Sequence, residues 1–316
     1  MSLIDAEVNP VDVDGDSPFV NDFSIVVATE NGSGSQTANN VLIRAIFKMG
    51  IPVSGKNLFP SNIQGLPTWY TIRVSKQGYT ARREGTEILV AFNKATADED
   101  ITQIPSGGMC VYNADDVKFR ELRADVHYYG LPVKQLIAEP VKKYGIDPKQ
   151  RNYVANMAYV GALVELLGVD IALIKQALER HFNGKPKPIM SNFEVIEAAA
   201  AYVRQNTPKN DPFRVKPMEK TSGQILIDGN TAGAIGALVG GVTVCAWYPI
   251  TPSTSFVDAL TEYAPKLRPP EADGAVSYAI VQAEDELAAA GIVVGAGWAG
   301  ARSVTATSGP GISLMN

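Results

Sequence analysis

The first 115 residues alternate between apolar runs and amphipathic stretches, and this pattern predicts strands and helices in turn. An apolar run begins at Phe23 and leads into a polar loop that contains glycine. Residues 71–75 alternate in polarity, whereas residues 87–92 and 108–112 are apolar, so each predicts a strand. This order favours an α/β domain. Apolar residues at helical spacing predict one helix that ends at Gly50: Val41, Leu42, Ala45, Ile46 and Met49.

From residue 117 onward the pattern is helical. Residues 151–182 predict two helices joined near residues 168–170, and residues 192–205 predict another. These helices complete the first domain. Residues 206–223 follow with three prolines, many charges and few apolar side chains, which predicts a linker.

A second α/β unit follows the linker, over residues 224–316. A glycine- and alanine-rich helix at 230–240 precedes a strand at 242–247, a proline loop and a helix from about Ser253. Next come a strand at 275–281, a helix of small residues at 284–299 and a strand at 302–307. The pattern predicts a partial, doubly wound parallel sheet. Because a helix is only beginning at Ile312, we expect the chain to be truncated.

Composition and charge exclude several classes of function. The net charge of -5 is spread along 316 residues, which disfavours nucleic acid or an anionic membrane as the main partner. Cys110 and Cys245 are too few for a four-thiolate cluster, and His127 and His181 stand in unrelated contexts, so we predict no metal ligands. The N-terminus has no signal-peptide pattern, and the longest apolar stretch is too short to span a bilayer. We therefore expect a soluble cytoplasmic protein.

Two prolines stiffen the loop that follows the strand at 242–247. Residues 246–255 read AWYPITPSTS, so Pro249 and Pro252 bracket Ile250 and Thr251. In open α/β sheets, ligands bind at the carboxyl ends of strands, and a hydroxyl on a stiff loop is a well-placed donor. The alternative is a strand end capped by proline, with a helix N-cap at Ser253 or Ser255.

A glycine loop lies between the first strand and the first helix. Its sequence, NGSGSQTANN, has Gly32 and Gly34, but Thr37 stands where a dinucleotide fingerprint requires a third glycine. Three interpretations stay open: the glycines serve only the turn, the loop binds a phosphate, or it contacts another subunit.

The helix at 284–299 begins with three acids, Glu284, Asp285 and Glu286, which suit a helix N-terminus. Its next turns contain almost only alanine and glycine, which indicates close approach by another backbone or a flat ligand. The strand after it ends in TSGPG, residues 307–311, where the two glycines permit a tight turn.

These pieces, in this order, resemble a known family. An acid followed by small residues and a strand ending in TSGPG is similar to the pyrimidine-binding domain of thiamine-diphosphate enzymes. YPITPS, preceded by GNTAGAIGALVGG, narrows the resemblance to the 2-oxoacid:ferredoxin oxidoreductases. Residues 22–205 resemble that family's gamma domain, fused ahead of an incomplete alpha domain at 224–316, with residues 1–21 as a tail. GSGSQ stands where relatives carry a loop similar to G-x-G-G-Q-G, so two glycines are replaced, and NLFPSNIQG and ILVAFN occur in the expected order.

The resemblance assigns roles to individual residues. When the family's pattern is aligned on Gly295, its catalytic glutamate, which bonds the aminopyrimidine ring, falls on Glu286. When it is aligned on the Q-x-E sequence at the start of the helix, that glutamate falls on Glu284. Thr251 would bind the substrate. The remaining assignments are Tyr248 and Ser253 for substrate, Pro249, Ile250, Ser308 and Gly309 for cofactor, and Gly32, Gly34 and Gln36 for the gamma-domain loop.

The resemblance also implies cofactors and partners. Thiamine diphosphate would be shared with a beta subunit that carries the diphosphate-binding domain, and Mg²⁺, a 4Fe-4S cluster and CoA would come only through the partner or the complex. The expected reaction converts a 2-oxo acid to acyl-CoA and CO₂ with electrons passed to ferredoxin, 2-oxoglutarate being favoured over pyruvate or a branched-chain acid. We expect a heterotetramer of two alpha and two beta chains, inactive without the beta subunit.

Two other interpretations remain open. One is a different thiamine-diphosphate decarboxylase or synthase, although those enzymes carry the pyrimidine domain first and lack YPITP. The other is a non-catalytic nucleotide-binding or assembly subunit, which tight nucleotide binding by residues 1–205 alone would favour.

Overall fold

The computed structural model describes residues 19–58 and 65–316. These residues form two compact units, the first ending at Gln224 and the second spanning Ile225–Asn316. Residues 1–18 of the predicted tail and residues 59–64 of the NLFPSNIQG segment lie outside the described residues. The expectation of an α/β protein with parallel strands is confirmed.

The first unit contains eight described strands and seven described α-helices. The strands are β1 (Phe19–Val20), β2 (Asp22–Glu30), β3 (Val53–Leu58), β4 (Pro67–Ser75), β5 (Ile88–Ala91), β6 (Met109–Asn113), β7 (His127–Leu131) and β8 (Phe213–Arg214). The helices are α1 (Ser35–Lys48), α2 (Ala97–Asp100), α3 (Val133–Tyr144), α4 (Arg151–Ala155), α5 (Met157–Leu167), α6 (Ile171–His181) and α7 (Pro186–Asn206).

Six of these strands form a mixed sheet in the order β3-β4-β2-β5-β6-β7. β2, β5, β6 and β7 are parallel neighbours, whereas β4 runs antiparallel to both β2 and β3. β2 pairs along its whole length, from Asp22 opposite Ser75 to Glu30 opposite Pro67. Its inward side chains Phe23, Ile25 and Val27 are fully buried, which explains why this run gave a clear strand signal.

Helix α1 follows β2 directly and packs against β3, β4 and α6. Its apolar face is buried as the spacing predicts, and Gly50, with φ of +79°, lies just beyond the helix end at Lys48. A side chain at Gly50 would also collide with the carbonyl of Met218, so two constraints select glycine there.

The segment predicted as a linker is instead packed onto the first unit. Phe213 is buried, pairs with Phe19 in a short parallel ladder and stacks on its ring at 5.3 Å between centroids. The Met218 amide donates to the Met49 carbonyl at 2.9 Å, and the Thr221 hydroxyl donates to the Phe47 carbonyl at 2.8 Å. The apolar residues of this segment are few, but Phe213 and Val215 are buried and Met218 is half-buried.

The second unit is a smaller α/β structure. It contains α8 (Gly229–Val239), β9 (Val244–Trp247), α9 (Thr254–Leu267), β10 (Ala279–Gln282), α10 (Glu286–Trp298), β11 (Ser303–Val304) and α11 (Gly309–Leu314). All three strands are parallel, in the order β10-β9-β11. Cys245 on β9 belongs to the core formed with α8 and α9, whereas Ala246 belongs to the core formed with α10. Adjacent positions of β9 therefore face opposite layers.

Several predicted bounds differ from the observed ones. The predicted strands at 275–281 and 302–307 are shortened to four and two residues, and β11 ends before Thr305. Elements β3, β7 and α3 were not predicted. Within the described residues, no helix is both long enough and apolar enough to cross a membrane.

Candidate functional site

The carboxyl ends of the three parallel strands in the second unit meet at one edge of the sheet. Trp247 and Gln282 are paired at the ends of β9 and β10, and Val304 pairs with Cys245 near the end of β11. The chain crosses from β9 to β10 on one side and then to β11 on the other, so the direction of winding changes between β9 and β11. In open α/β sheets, ligands bind outside the carboxyl ends at such a switch point.

The proline loop after β9 is held by its own hydroxyl groups. The Ser253 side chain is buried and donates to the Ile250 carbonyl at 2.9 Å, and the Thr254 hydroxyl accepts from the Ile250 amide at 3.1 Å. Ser253 is also the N-cap residue of α9, without a side-chain capping bond. Its hydroxyl is thus used within the loop, which leaves Thr251 as the better candidate for binding a substrate.

Thr251 lies at the exposed tip of this loop. Its hydroxyl has no hydrogen bond to any other described residue, and the Thr251–Pro252 peptide is cis. Tyr248 and Pro249 are exposed, whereas Ile250 is half-buried. Asn230 on α8, which the sequence analysis did not single out, donates to the Pro252 carbonyl at 3.0 Å and to Ser255 Oγ at 2.7 Å, and so fixes the other side of the loop.

The structure separates the two candidate carboxylates after β10. Glu284 is exposed, whereas Glu286 is only 9% exposed and is the first residue of α10. Asp285 between them is the N-cap, and its carboxylate accepts from the Ala288 amide at 2.6 Å. Among the described residues, none hydrogen-bonds the Glu286 carboxylate. Burial therefore selects Glu286 over Glu284 as the candidate catalytic acid.

The turn after β11 brings TSGPG against Glu286. A Cβ placed on Gly311 would collide with Thr307 Oγ1 and would lie 2.7 Å from Glu286 Cγ. Gly311 is buried, and only a glycine fits beside these two side chains. Ser308 is half-buried and is the N-cap of α11, and Gly309 is exposed, so the predicted cofactor-binding pair borders the same turn.

From β11 into this turn, every second residue carries a hydroxyl group: Ser303, Thr305 and Thr307. Ser303 Oγ donates to the Val293 carbonyl on α10 at 2.8 Å, whereas Thr305 Oγ1 and Thr307 Oγ1 are buried without a hydrogen-bond partner among the described residues. Buried hydroxyls without partners are rare in folded proteins. Neither threonine was assigned a role from the sequence, although their spacing of two residues was a usable signal.

The small-residue helix α10 lies over β9 through Ala289, which is fully buried against Ala246 and Ala283. At Gly291 and Gly295, however, no described atom lies within 4 Å of an added Cβ. Within the described residues, no backbone makes the close approach that these glycines predicted.

The glycine loop of the first unit has a packing role. Gly32 and Gly34 have φ near +80°, and the Tyr153 ring lies so close to Gly34 that no side chain fits there. The Asn156 amide donates to the Ser33 carbonyl at 2.8 Å. Gln36 is exposed and accepts from Asn57 at 3.2 Å. These contacts favour the interpretation in which the glycines serve the turn.

Comparison with known proteins agrees with this geometry. Residues 24–202 match the family model described as pyruvate ferredoxin/flavodoxin oxidoreductase. Residues 235–316 match the model described as pyruvate flavodoxin/ferredoxin oxidoreductase, thiamine diphosphate-binding.

Three similar proteins illustrate the match. Two Aeropyrum pernix proteins, the alpha subunits of 2-oxoacid:ferredoxin oxidoreductases 2 and 1, are 28% and 30% identical, and each alignment covers 93% of this chain but 52% and 51% of the relative. The solved 2-oxoglutarate:ferredoxin oxidoreductase from Magnetococcus marinus is 30% identical with a TM-score of 0.76, covering 93% of this chain and 49% of that one. The chain thus spans about half the length of the curated relatives that it matches.

Proposed function

The chain belongs to the pyruvate ferredoxin/flavodoxin oxidoreductase family, and from this premise we propose that it supplies the pyrimidine-binding half of a thiamine-diphosphate-dependent 2-oxoacid oxidoreductase. The reaction is the oxidative decarboxylation of a 2-oxo acid. The carboxylate leaves as CO₂, the acyl carbon forms a thioester with coenzyme A, and two electrons pass to ferredoxin.

The observation that carries this proposal is the burial of Glu286 beside Thr307 and Gly311 at the switch point. A buried carboxylate that no described residue hydrogen-bonds fits the ring nitrogen of an aminopyrimidine, where it would hold or move a proton. The Thr307 hydroxyl, which is buried without a hydrogen-bond partner among the described residues, offers a further polar group beside Glu286. Thiamine diphosphate, when bound, supplies the carbanion chemistry of decarboxylation.

The proline loop is the proposed substrate-facing element. The Thr251 hydroxyl, which bonds no other described residue, lies at the tip of a loop that Asn230 and Ser253 hold in place. A fixed hydroxyl donor suits the carboxylate or keto oxygen of a 2-oxo acid. Tyr248 would line the same loop, and Pro249, Ile250, Ser308 and Gly309 would border the cofactor.

We assign 2-oxoglutarate as the preferred substrate. The support is the similarity to the Magnetococcus marinus enzyme, which was solved with 2-oxoglutarate, coenzyme A and succinyl-CoA bound. The cofactor's diphosphate, Mg²⁺ and a 4Fe-4S cluster would be held by a beta subunit, in an assembly of two alpha and two beta chains located in the cytoplasm. Cys110 and Cys245 do not contribute to such a cluster, because both are buried in the cores of their units.

The test is reconstitution of the full-length chain with its beta subunit. We expect CoA-dependent reduction of a low-potential acceptor with 2-oxoglutarate, and a loss of at least about 100-fold in kcat for Glu286→Gln, as is typical when a general acid–base group is removed. Glu284→Gln is the matched variant for the alternative register, and we expect it to retain activity because Glu284 is exposed. Full activity of Glu286→Gln, or loss in Glu284→Gln alone, would contradict the assignment.

A further inference from the structure

We propose that Thr307 is a positioning residue for Glu286: in the assembled enzyme its hydroxyl donates a hydrogen bond to the Glu286 carboxylate and fixes the direction in which that carboxylate faces the cofactor ring. This inference rests on the proposed function. It adds a role for the first residue of TSGPG that is separate from the turn the glycines allow.

Glu286 and Thr307 meet in the space that Gly311 leaves by having no side chain. The position that a Gly311 Cβ would occupy lies 2.7 Å from Glu286 Cγ and 3.0 Å from Thr307 Cβ, with Thr307 Oγ1 closer still. Two side chains from different elements therefore fill the space that glycine leaves. The Glu286 carboxyl group, one bond beyond Cγ, is within reach of the Thr307 hydroxyl by rotation of the glutamate side chain.

The Thr307 hydroxyl and the Glu286 carboxylate both lack a hydrogen bond to any described residue. Thr307 Oγ1 is also buried. A buried hydroxyl is a donor, and an ionised carboxylate accepts only. A bond between them satisfies both groups, and bonds to a charged acceptor are stronger than those between neutral groups.

The spacing of the hydroxyl residues indicates which way the Thr307 side chain faces. Ser303, Thr305 and Thr307 stand at intervals of two residues, so in extended backbone they face one side. Ser303 bonds the Val293 carbonyl of α10, which shows that this side faces the helix. Glu286 lies two helical turns before Val293 on α10, and thus at the end of the helix that Thr307 approaches.

The experiment compares three variants of the full-length chain assembled with its beta subunit: Thr307→Val, Thr307→Ser and Thr305→Val. Thr307→Val keeps the shape and removes the hydroxyl, whereas Thr307→Ser keeps the hydroxyl. Thr305→Val is the matched control, because it removes the other buried hydroxyl without a partner from the same segment. The readouts are the near-ultraviolet circular dichroism band of the cofactor's iminopyrimidine form, the affinity for thiamine diphosphate, kcat and KM.

We expect Thr307→Val to weaken the iminopyrimidine band and to lower kcat about tenfold, with KM and cofactor affinity changed less than about twofold, as for a lost orienting interaction. Thr307→Ser should restore the band, and Thr305→Val should leave it intact. An unchanged band in Thr307→Val overturns the proposal. So does a loss of cofactor affinity with a normal band at saturation, which would assign the hydroxyl to the cofactor itself.

Failure of the proposed function gives a different result. If the wild-type assembly binds no thiamine diphosphate, neither the function nor this role for Thr307 holds. If the wild-type assembly binds the cofactor and is active, and Thr307→Val has the same iminopyrimidine band and kcat, only the positioning role fails.

Discussion

At the scale of single residues, the sequence left a choice that burial resolves. Glu284, Asp285 and Glu286 all suit a helix N-terminus, so the pattern could not say which acid is withdrawn from water. The structure makes Asp285 the cap, and this places Glu286 inside and Glu284 outside. Ser253 is a second example: its position in the loop predicts a substrate contact, which stays a prediction, and the structure adds that its hydroxyl donates to the Ile250 carbonyl. Hydroxyl direction depends on loop geometry, which residue type does not encode.

Asp100 in the first unit gives a prediction of pH dependence. Burial raises the pKa of Asp100 above its ordinary value of 3.8, although hydrogen bonds from the Thr96 hydroxyl and Trp69 Nε1 oppose the rise. A carboxyl with a raised pKa keeps its proton in the folded state at pH values where the unfolded chain has lost it. The free energy of unfolding therefore falls as pH rises through this range.

Asp100→Asn cannot ionise, and it keeps an oxygen that can accept from Trp69. We expect its stability relative to the wild type to increase as the pH rises from about 4 to 7. Urea unfolding followed by tryptophan fluorescence at several pH values measures this difference. Glu99→Gln on the same helix controls for loss of an exposed carboxylate. If the stability of Asp100→Asn relative to the wild type instead decreases as pH rises, the predicted direction of the pH dependence is wrong.

At the scale of elements, periodicity located the strongly amphipathic segments and missed those that depend on distant partners. Helices α5 and α6 were predicted with a break near Gly168, and Gly168 adopts φ of +76° at the end of α5. Strand β3, in contrast, has the pattern VSGKNL, with exposed positions and a glycine. It forms because β4 supplies an antiparallel edge from Val53 to Leu58, and no local pattern encodes that pairing.

The contact between α5 and α7 gives a prediction at this scale. A side chain at Gly161 of α5 would collide with the Ile196 carbonyl and approach Ala199 Cβ to 2.8 Å, so the helices pack through a glycine. Alanine gains about 1 kcal/mol of helix propensity, but overpacking costs about 1–3 kcal/mol. We expect Gly161→Ala to lower the free energy of unfolding of the first unit.

Gly236 of α8 is the matched control for this substitution. It is also within a helix, but apart from that helix's own nearby backbone no described atom lies within 4 Å of an added Cβ. Gly236→Ala should be neutral or stabilising by up to about 1 kcal/mol. Denaturant unfolding by circular dichroism measures both variants, and a stabilised Gly161→Ala would disprove the packing argument.

At the scale of the whole molecule, composition predicted the order of the two units correctly but placed the end of the first unit too early. Residues 206–223 resemble a linker because prolines and charges dominate them, yet the compact first unit extends to Gln224. Phe213 accounts for this difference, since one aromatic ring buried against Phe19 and Phe23 anchors a polar segment. Tyr129 adds a hydrogen bond to the Asp211 carboxylate at 2.7 Å, where burial raises the pKa of Asp211.

Fragments test this boundary. A fragment of residues 1–224 should fold cooperatively, whereas a fragment of residues 1–205 should be less stable by about 3–5 kcal/mol, the usual cost of removing a buried phenylalanine. Urea denaturation of both fragments measures the difference, and Phe213→Ala in the full chain should reproduce most of it. Equal stability of the two fragments would return the boundary to residue 205.

The order β10-β9-β11 has a consequence for the time at which the second sheet can assemble. Its central strand is made first, but its partners begin at Ala279 and Ser303, far along the chain. During synthesis, β9 therefore has unpaired backbone amides and carbonyls on both edges until the ribosome releases β10 and β11. Such distant pairings fold slowly, so we expect both edges of β9 in nascent copies of this unit to stay open to pairing with other chains until β11 has been made.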